Sequence, residues 1–261
     1  DFPGLLEGIE VRPGSPAQLV AVAAVRWVAV VLGDAPPAPV VLVLDAFDNP
    51  VPDRLVRAQV EGPDGPEQDL SASTGAEGSA TLALAPPSST GVRQVVLTVP
   101  DSTVPALEYG MVVVAPAAAG LVGAEGGEVQ VSDPASPATG AAILVAPGSV
   151  EESVVFTIGS LALDPGLPLA PPETAIAGAF VFDYGPEDAP LTGPIVLVIP
   201  YSEADLPAGA AEEDMILFLL DRETGAWVEA VGAAQDTVAN TFTLTVTELR
   251  GLILAPGVKR R

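Results

Sequence analysis

The chain has 261 residues, with 34 acidic side chains against ten basic ones, a formal net charge of −24, no histidine and no cysteine. A field of that sign repels phosphate backbones and anionic lipid surfaces, so neither nucleic-acid binding nor polybasic membrane attachment is expected. Without His or Cys, the common nucleophile–base pairs, zinc sites and haem ligation cannot be built.

Apolar residues make up 49% of the chain but aromatics only 5%, and 26 Gly and 28 Pro punctuate it. Val-rich runs between Gly and Pro turns read as strands. The fold class expected is all-β: two antiparallel β-sandwich domains in tandem, a division the length permits. The chain opens at Asp1 without Met and shows no signal peptide, as a matured or trimmed product would. The missing Cys fits a reducing compartment or a surface protein that needs no disulfide.

In chain order, residues 1–14 form an apolar arm carrying Phe2, Leu5, Leu6, Ile9 and Val11, with no sequence-adjacent strand to pair with. These five are the expected subunit contact. A free apolar strand invites pairing with another chain's sheet edge, or folds back on its own domain. Gln18 to Ala24 and Arg26 to Leu32 read as strands. Leu19 to Leu32 is too short for the roughly 20 apolar residues of a membrane span, and Arg26 interrupts it. Further strands are expected at Val40–Leu44, Arg54–Val60, Ser79–Leu84, Gln94–Val99 and Glu108–Val114, separated by turns such as Gly62-Pro-Asp-Gly-Pro66.

Three pieces of this half are distinctive: Asp45-Ala-Phe-Asp-Asn-Pro-Val-Pro52 closing a strand, Thr74 to Leu82, and Gly91 to Val99. On them, residues 15–116 resemble the bacterial immunoglobulin-like domains of the invasin and intimin type. Asp48 stands where that family usually has Gly, a change a turn tolerates. The resemblance implies a spacer or adhesive module of secreted or surface chains.

Ala115 to Ala124 is small, uncharged and turn-rich, and is read as a domain boundary or as a loop inside one larger sandwich. Beyond it come strand candidates at Gly126–Val131, Ala141–Val145, Ser153–Ile158, Phe180–Tyr184 and Ile195–Ile199. A hairpin follows, Met215–Leu220 and Ala226–Glu229 around Asp221-Arg-Glu-Thr-Gly225; Thr237–Val246 and Gly251–Ala255 close the set. The Gly126-Gly127 start, Val145 to Ser149, Phe182-Asp-Tyr-Gly-Pro186, Pro194 to Tyr201 and Asp221 to Val228 make residues 125–256 resemble the ZU-five-like domains of netrin receptors and ankyrins. Some relatives cleave their own backbone at a His-Phe-Ser element. Glu248, Leu249 and Arg250 stand at that place, so self-cleavage is not expected. Residues 257–261 read as a basic tail.

No G-x-S-x-G, Walker loop or G-x-G-x-x-G occurs, and no enzyme activity or organic cofactor is expected. Asp45, Asp48, Asn49 and Asp53 gather oxygen ligands on one turn, as calcium requires; the same residues equally make Asx-turns and caps. Asp221-Arg-Glu223 resembles a cadherin calcium motif but, followed by Thr-Gly, is a simple hairpin turn. Trp27 and Trp227 lie in apolar strands and are read as core rather than ligand platforms. The chain is therefore expected to be a non-catalytic extracellular or cell-surface protein with no membrane insertion. It is read as a filament or surface-layer subunit joined to copies of itself through β-strand contacts. The alternative is an adhesin module for a carbohydrate or another surface protein.

Overall fold

The computed structural model describes residues 13–23, 26–249 and 252–259. The arm residues Phe2, Leu5, Leu6, Ile9 and Val11 lie outside the described residues, as do Arg260 and Arg261. The chain is all-β, and the described residues depart from that only in two single-turn 3-10 segments at Glu203–Asp205 and Glu212–Asp214.

The first half contributes β1 (Gln18–Ala21), β2 (Trp27–Val31), β3 (Val40–Leu44), β4 (Leu55–Gly62), β5 (Gly65–Ser73), β6 (Ser79–Thr81) and β7 (Gly91–Thr98). Then β8 (Leu107–Val122) runs for 16 residues. A three-stranded sheet, β1-β3-β6, faces a larger one in which β8, β7, β4 and β5 lie in that order and β2 pairs parallel with β8. Leu19, Val41 and Val43 meet Val56, Ala58, Val95, Leu97 and Met111 between the sheets. Each fully buried aliphatic side chain of this kind stabilises by about 1.5–3 kcal/mol. Arg93 is also fully buried; it donates to Glu67 Oε2 at 2.8 Å and to the carbonyls of Ser89 and Gly91, so its charge is matched.

The second half adds β9 (Gly127–Gln130), β10 (Ala142–Val145), β11 (Val154–Ala162), β12 (Thr174–Ile176), β13 (Phe180–Gly185), β14 (Ile195–Pro200), β15 (Met215–Leu220), β16 (Trp227–Glu229), β17 (Ala234–Asp236), β18 (Thr241–Val246) and β19 (Leu252–Lys259). The sheet β17-β18-β14-β10-β9 covers one face of β15, β19, β13 and β11, burying Phe156, Tyr184, Ile195, Leu197 and Phe242.

The stretch 115–124, expected to be turn-rich, is strand as far as Val122. Beyond its pairing with β7, β8 continues antiparallel to β11 from Ala115↔Ser160 to Val122↔Val154. Pro116 is accommodated where the register shifts between Ile158 and Gly159, since a bulge tolerates a missing donor. One sheet of the first sandwich thus continues into one sheet of the second. The run Met111-Val-Val-Val114 is apolar throughout because both faces of β8 are covered. Met111 and Val113 enter the first core; Val112 and Val114 enter a third cluster with Leu161, Val181, Phe218 and Ile253.

Three further readings need correction. The segment 237–246 is not one strand: β17 and β18 form a hairpin whose turn ends at Asn240, with φ +53°. Residues 257–259 are not tail but the end of β19, where Val258 is buried and pairs with Ala175 and Met215. The polar β5 was not expected as a strand at all.

Candidate binding surface where the two halves meet

The hairpin turn after β15 is built by Asp221. Its carboxylate accepts the backbone N–H groups of Glu223 and Thr224, both at 2.9 Å, which hold it below the usual carboxylate range, and Gly225 closes the turn at φ +71°. This is turn chemistry, as the sequence implied. It sets Arg222 against the start of β2. The Arg222 carbonyl accepts the N–H of Arg26 at 2.6 Å and of Trp27 at 3.2 Å. Its Nε donates to the Trp27 carbonyl at 2.9 Å, and Nη1 is ion-paired with Glu187. The Trp27 ring lies on Gly110, where an added Cβ would come within 2.3 Å of it. Trp27 is therefore a packing residue joining the halves. Trp227 is buried and donates to the Pro168 carbonyl at 2.9 Å, so it too belongs to the core.

Beside this clamp lies an open groove of about 790 Å³. One wall is β1 and the residues just after it, from Leu19 to Ala23, with Val40 and Val41; Val28, Leu97 and Leu107 line the groove too, with the charged Glu108, Glu187, Asp188, Arg26 and Arg222. Among the described residues β1 pairs with β3 alone and is the edge of its sheet. Val22 N–H donates to the Val40 carbonyl, so by the two-residue alternation of a strand the backbone groups of Leu19 and Ala21 point away from β3. Val20 and Val22 are exposed. Tyr109 also lines the groove, and its buried hydroxyl has no hydrogen-bond partner among the described residues; burial pushes its pKa up to about 12.

A second, smaller pocket of about 220 Å³ lies behind Glu187, between β2 and β13. Asp183 forms part of its lining. Phe182 and Tyr184 turn into the second sandwich core, which puts Asp183 on the opposite face of β13, against β2. It is only 7% exposed, and burial pushes its carboxyl up to about 7; Arg222 lowers it and Glu187 raises it. No hydrogen bond reaches that carboxylate among the described residues.

The residues named for calcium share the corner after β3. Asp45 is buried, and its oxygens accept the N–H groups of Gly14 at 2.8 Å, Phe47 at 2.8 Å and Asn49 at 3.0 Å, together with the Asn49 amide. Those donors, Gly14 foremost, hold its carboxyl far below the usual range. Asp48, at φ +62°, accepts from Gln18 Nε2, and Asp53 adopts φ +54°. Donors converging on a carboxylate make an anion cap, and among the described residues no three acidic side chains are grouped to hold a metal ion. Arg222, Glu187, Asp183 and Tyr109 were not singled out from the sequence. Asp183 left a trace as an acid within the apolar run Phe180–Tyr184, and Arg222 only as the middle of the Asp221–Glu223 turn.

No protein-family model matches this chain, and no curated protein matches it. Among solved structures it is similar to invasin, a bacterial integrin-binding protein, at 13% identity over 93% of this chain and 60% of that one, with a TM-score of 0.29. It is similar to extracellular domains 3–5 of Drosophila OTK at 9% identity, covering 89% of each chain, with a TM-score of 0.25. Against immunoglobulin domains 1–4 of Sidekick-1 the identity is 11%, over 81% of this chain and 46% of that one, with a TM-score of 0.23. The chain spans 60% of the invasin chain it matches. The all-β assignment rests on the strand pairing itself.

Proposed function

We propose that the protein is a non-catalytic module that works outside the cell and joins to copies of itself by strand addition at β1. The observation that carries this reading is the edge of β1 beside the groove, which no other described strand covers. A strand laid along it would pair with the outward groups of Leu19 and Ala21 and cover Val20 and Val22. The chemistry of the arm suits that place: Phe2, Leu5, Leu6, Ile9 and Val11 are apolar residues spread over one strand length. Donation from one copy to the next gives a head-to-tail contact that does not close, hence a filament or surface layer. It requires neither a disulfide nor a metal ion.

The invasin-type likeness of the first half supports an extracellular setting through the corner Asp45–Pro52, whose cap ties Gly14 to the end of β3. The ZU-five-like reading of the second half rests on its sequence pieces. The same edge would accept an extended segment of another surface protein, which makes adhesion a second use of one surface. The experiment is removal of residues 1–11 followed by sizing of the product. Strand donation requires that assembly be lost, and equal assembly of both forms rejects it.

A further inference from the structure

We propose that the pocket floored by Asp183 is a binding site for a protonated primary alkylamine, whose ammonium meets Asp183 while its methylenes lie along Ala29, Val31 and Pro37. Three observations converge. First, Ala29, Val30 and Val31 of β2 line the pocket together with Pro37, and its acidic residues are Asp183, Glu187 and Asp34. Second, the cation that acts on Asp183 is already engaged: Arg222 is ion-paired with Glu187 and bonded to the Trp27 carbonyl, which leaves Asp183 without a hydrogen-bonded partner among the described residues. Third, a carboxylate more than nine-tenths buried with no donor is costly, and a ligand that supplies the donor relieves that cost.

The chemical class follows from shape and charge. At about 220 Å³ the pocket has room for on the order of seven waters, or for a chain of four or five carbons with its ammonium. An ammonium carries three donors, and the Thr157 hydroxyl lines the same pocket as a further acceptor. A metal ion suits the site poorly, because no three acidic side chains are grouped closely enough among the described residues.

The charges that act on Asp183 are Arg222 from the hairpin turn and Glu187 after β13; Asp34, after β2, lines the same pocket, in which Ala29 and Val31 present no charge. The Tyr184 hydroxyl is turned away to the Val198 carbonyl and is pushed well above its ordinary pKa by burial. A cationic ligand selects ionised Asp183, so binding expels a proton from a group that is half protonated near pH 7. Affinity should rise up to tenfold per pH unit from about pH 5 to 7 and level off above.

The test titrates the full chain with n-butylammonium chloride in ~0.15 M salt at pH 5, 6, 7 and 8, by calorimetry and by NMR shifts. Surface counter-ion association is largely screened at that salt concentration. The site requires one saturable equivalent, shifts centred on Val31 and Asp34, the stated pH profile, and no binding of n-butanol. Asp183→Asn must weaken binding at least tenfold at pH 8. Should that variant fail to fold, Thr157→Val and Asp34→Asn, which leave the carboxylate in place, must each weaken binding. Unchanged affinity in the folded variants, a flat pH profile, or shifts scattered over the acidic surface would overturn the proposal.

Discussion

Arg222 holds the Trp27 backbone at both its N–H and its carbonyl, across 195 residues of sequence: its Nε donates to the Trp27 carbonyl, and its own carbonyl accepts the Trp27 N–H. This contact, with the Glu187 ion pair, ties the start of β2 to the β15–β16 hairpin. Replacing Arg222 with Ala removes the Nε bond and leaves Glu187 without its cation. The expected cost is about 2–3 kcal/mol of unfolding free energy. Arg222→Lys should recover little of it, because one ammonium cannot reproduce a forked pair of contacts. Urea denaturation of the three proteins checks this; equal midpoints would show that the clamp is decorative.

Gly110→Ala tests the same junction from the other strand. A Cβ there would lie 2.3 Å from the Trp27 ring, so the indole or β8 must move. Overpacking of this kind costs about 1–3 kcal/mol. The indole fluorescence of Trp27 should change with it, while that of buried Trp227, on a different strand, stays as it is; measuring both in single-Trp backgrounds separates them.

Asp183 sets a pH dependence with a definite sign. Its folded pKa of about 7 lies above the ordinary 3.8, so the folded state binds the proton more tightly than the unfolded one. The associated stability is fully present below about pH 4. It is lost as pH climbs through 7, at up to about 1.4 kcal/mol per unit, or about 4 kcal/mol in all. Asp183→Asn should match the parent near pH 4 and exceed it at pH 8. Thermal unfolding across that range measures the difference, and the repulsion of the other acids cancels between the two proteins. A constant difference at every pH would remove burial of the charge as the cause.

Asp45 works in the opposite direction. Its carboxyl is held low by donors, so its contribution is present above the ordinary carboxylate pKa and fades as pH falls toward the depressed folded value. Asp45→Ala leaves the N–H groups of Gly14, Phe47 and Asn49 without their acceptor and should lower the melting temperature at pH 7. Chelation of divalent ions should leave the parent's melting temperature unchanged; a drop on adding EDTA would show that a divalent ion holds this corner.

Most strands were legible because apolar runs between Gly and Pro turns declare themselves: β3, β7, β14 and the β15–β16 hairpin fall where the sequence puts them. β5 was not, because Gly65–Ser73 is an edge strand with water on much of its surface and needs no apolar alternation. The tail of β8 was missed for the converse reason. Ala115 to Gly120 offers small side chains and a proline, and β11 makes it strand by pairing along its length. The Asp45 cap was readable, since Asx chemistry is local. Arg222 and Asp183 were not: their meaning depends on β2 arriving beside β13, a tertiary event with no local signal.

The central claim is that β1 accepts a strand, and sedimentation equilibrium of three proteins over a concentration series tests it most directly. The three are the intact chain, the chain lacking residues 1–11, and Ala21→Pro. The Ala21 N–H points away from β3, so proline there removes an outward donor without breaking the β1–β3 ladder. The account predicts concentration-dependent association of the intact chain and a single monomeric mass for each of the other two. A monomeric intact chain at high concentration, or association that persists in both variants, would contradict it.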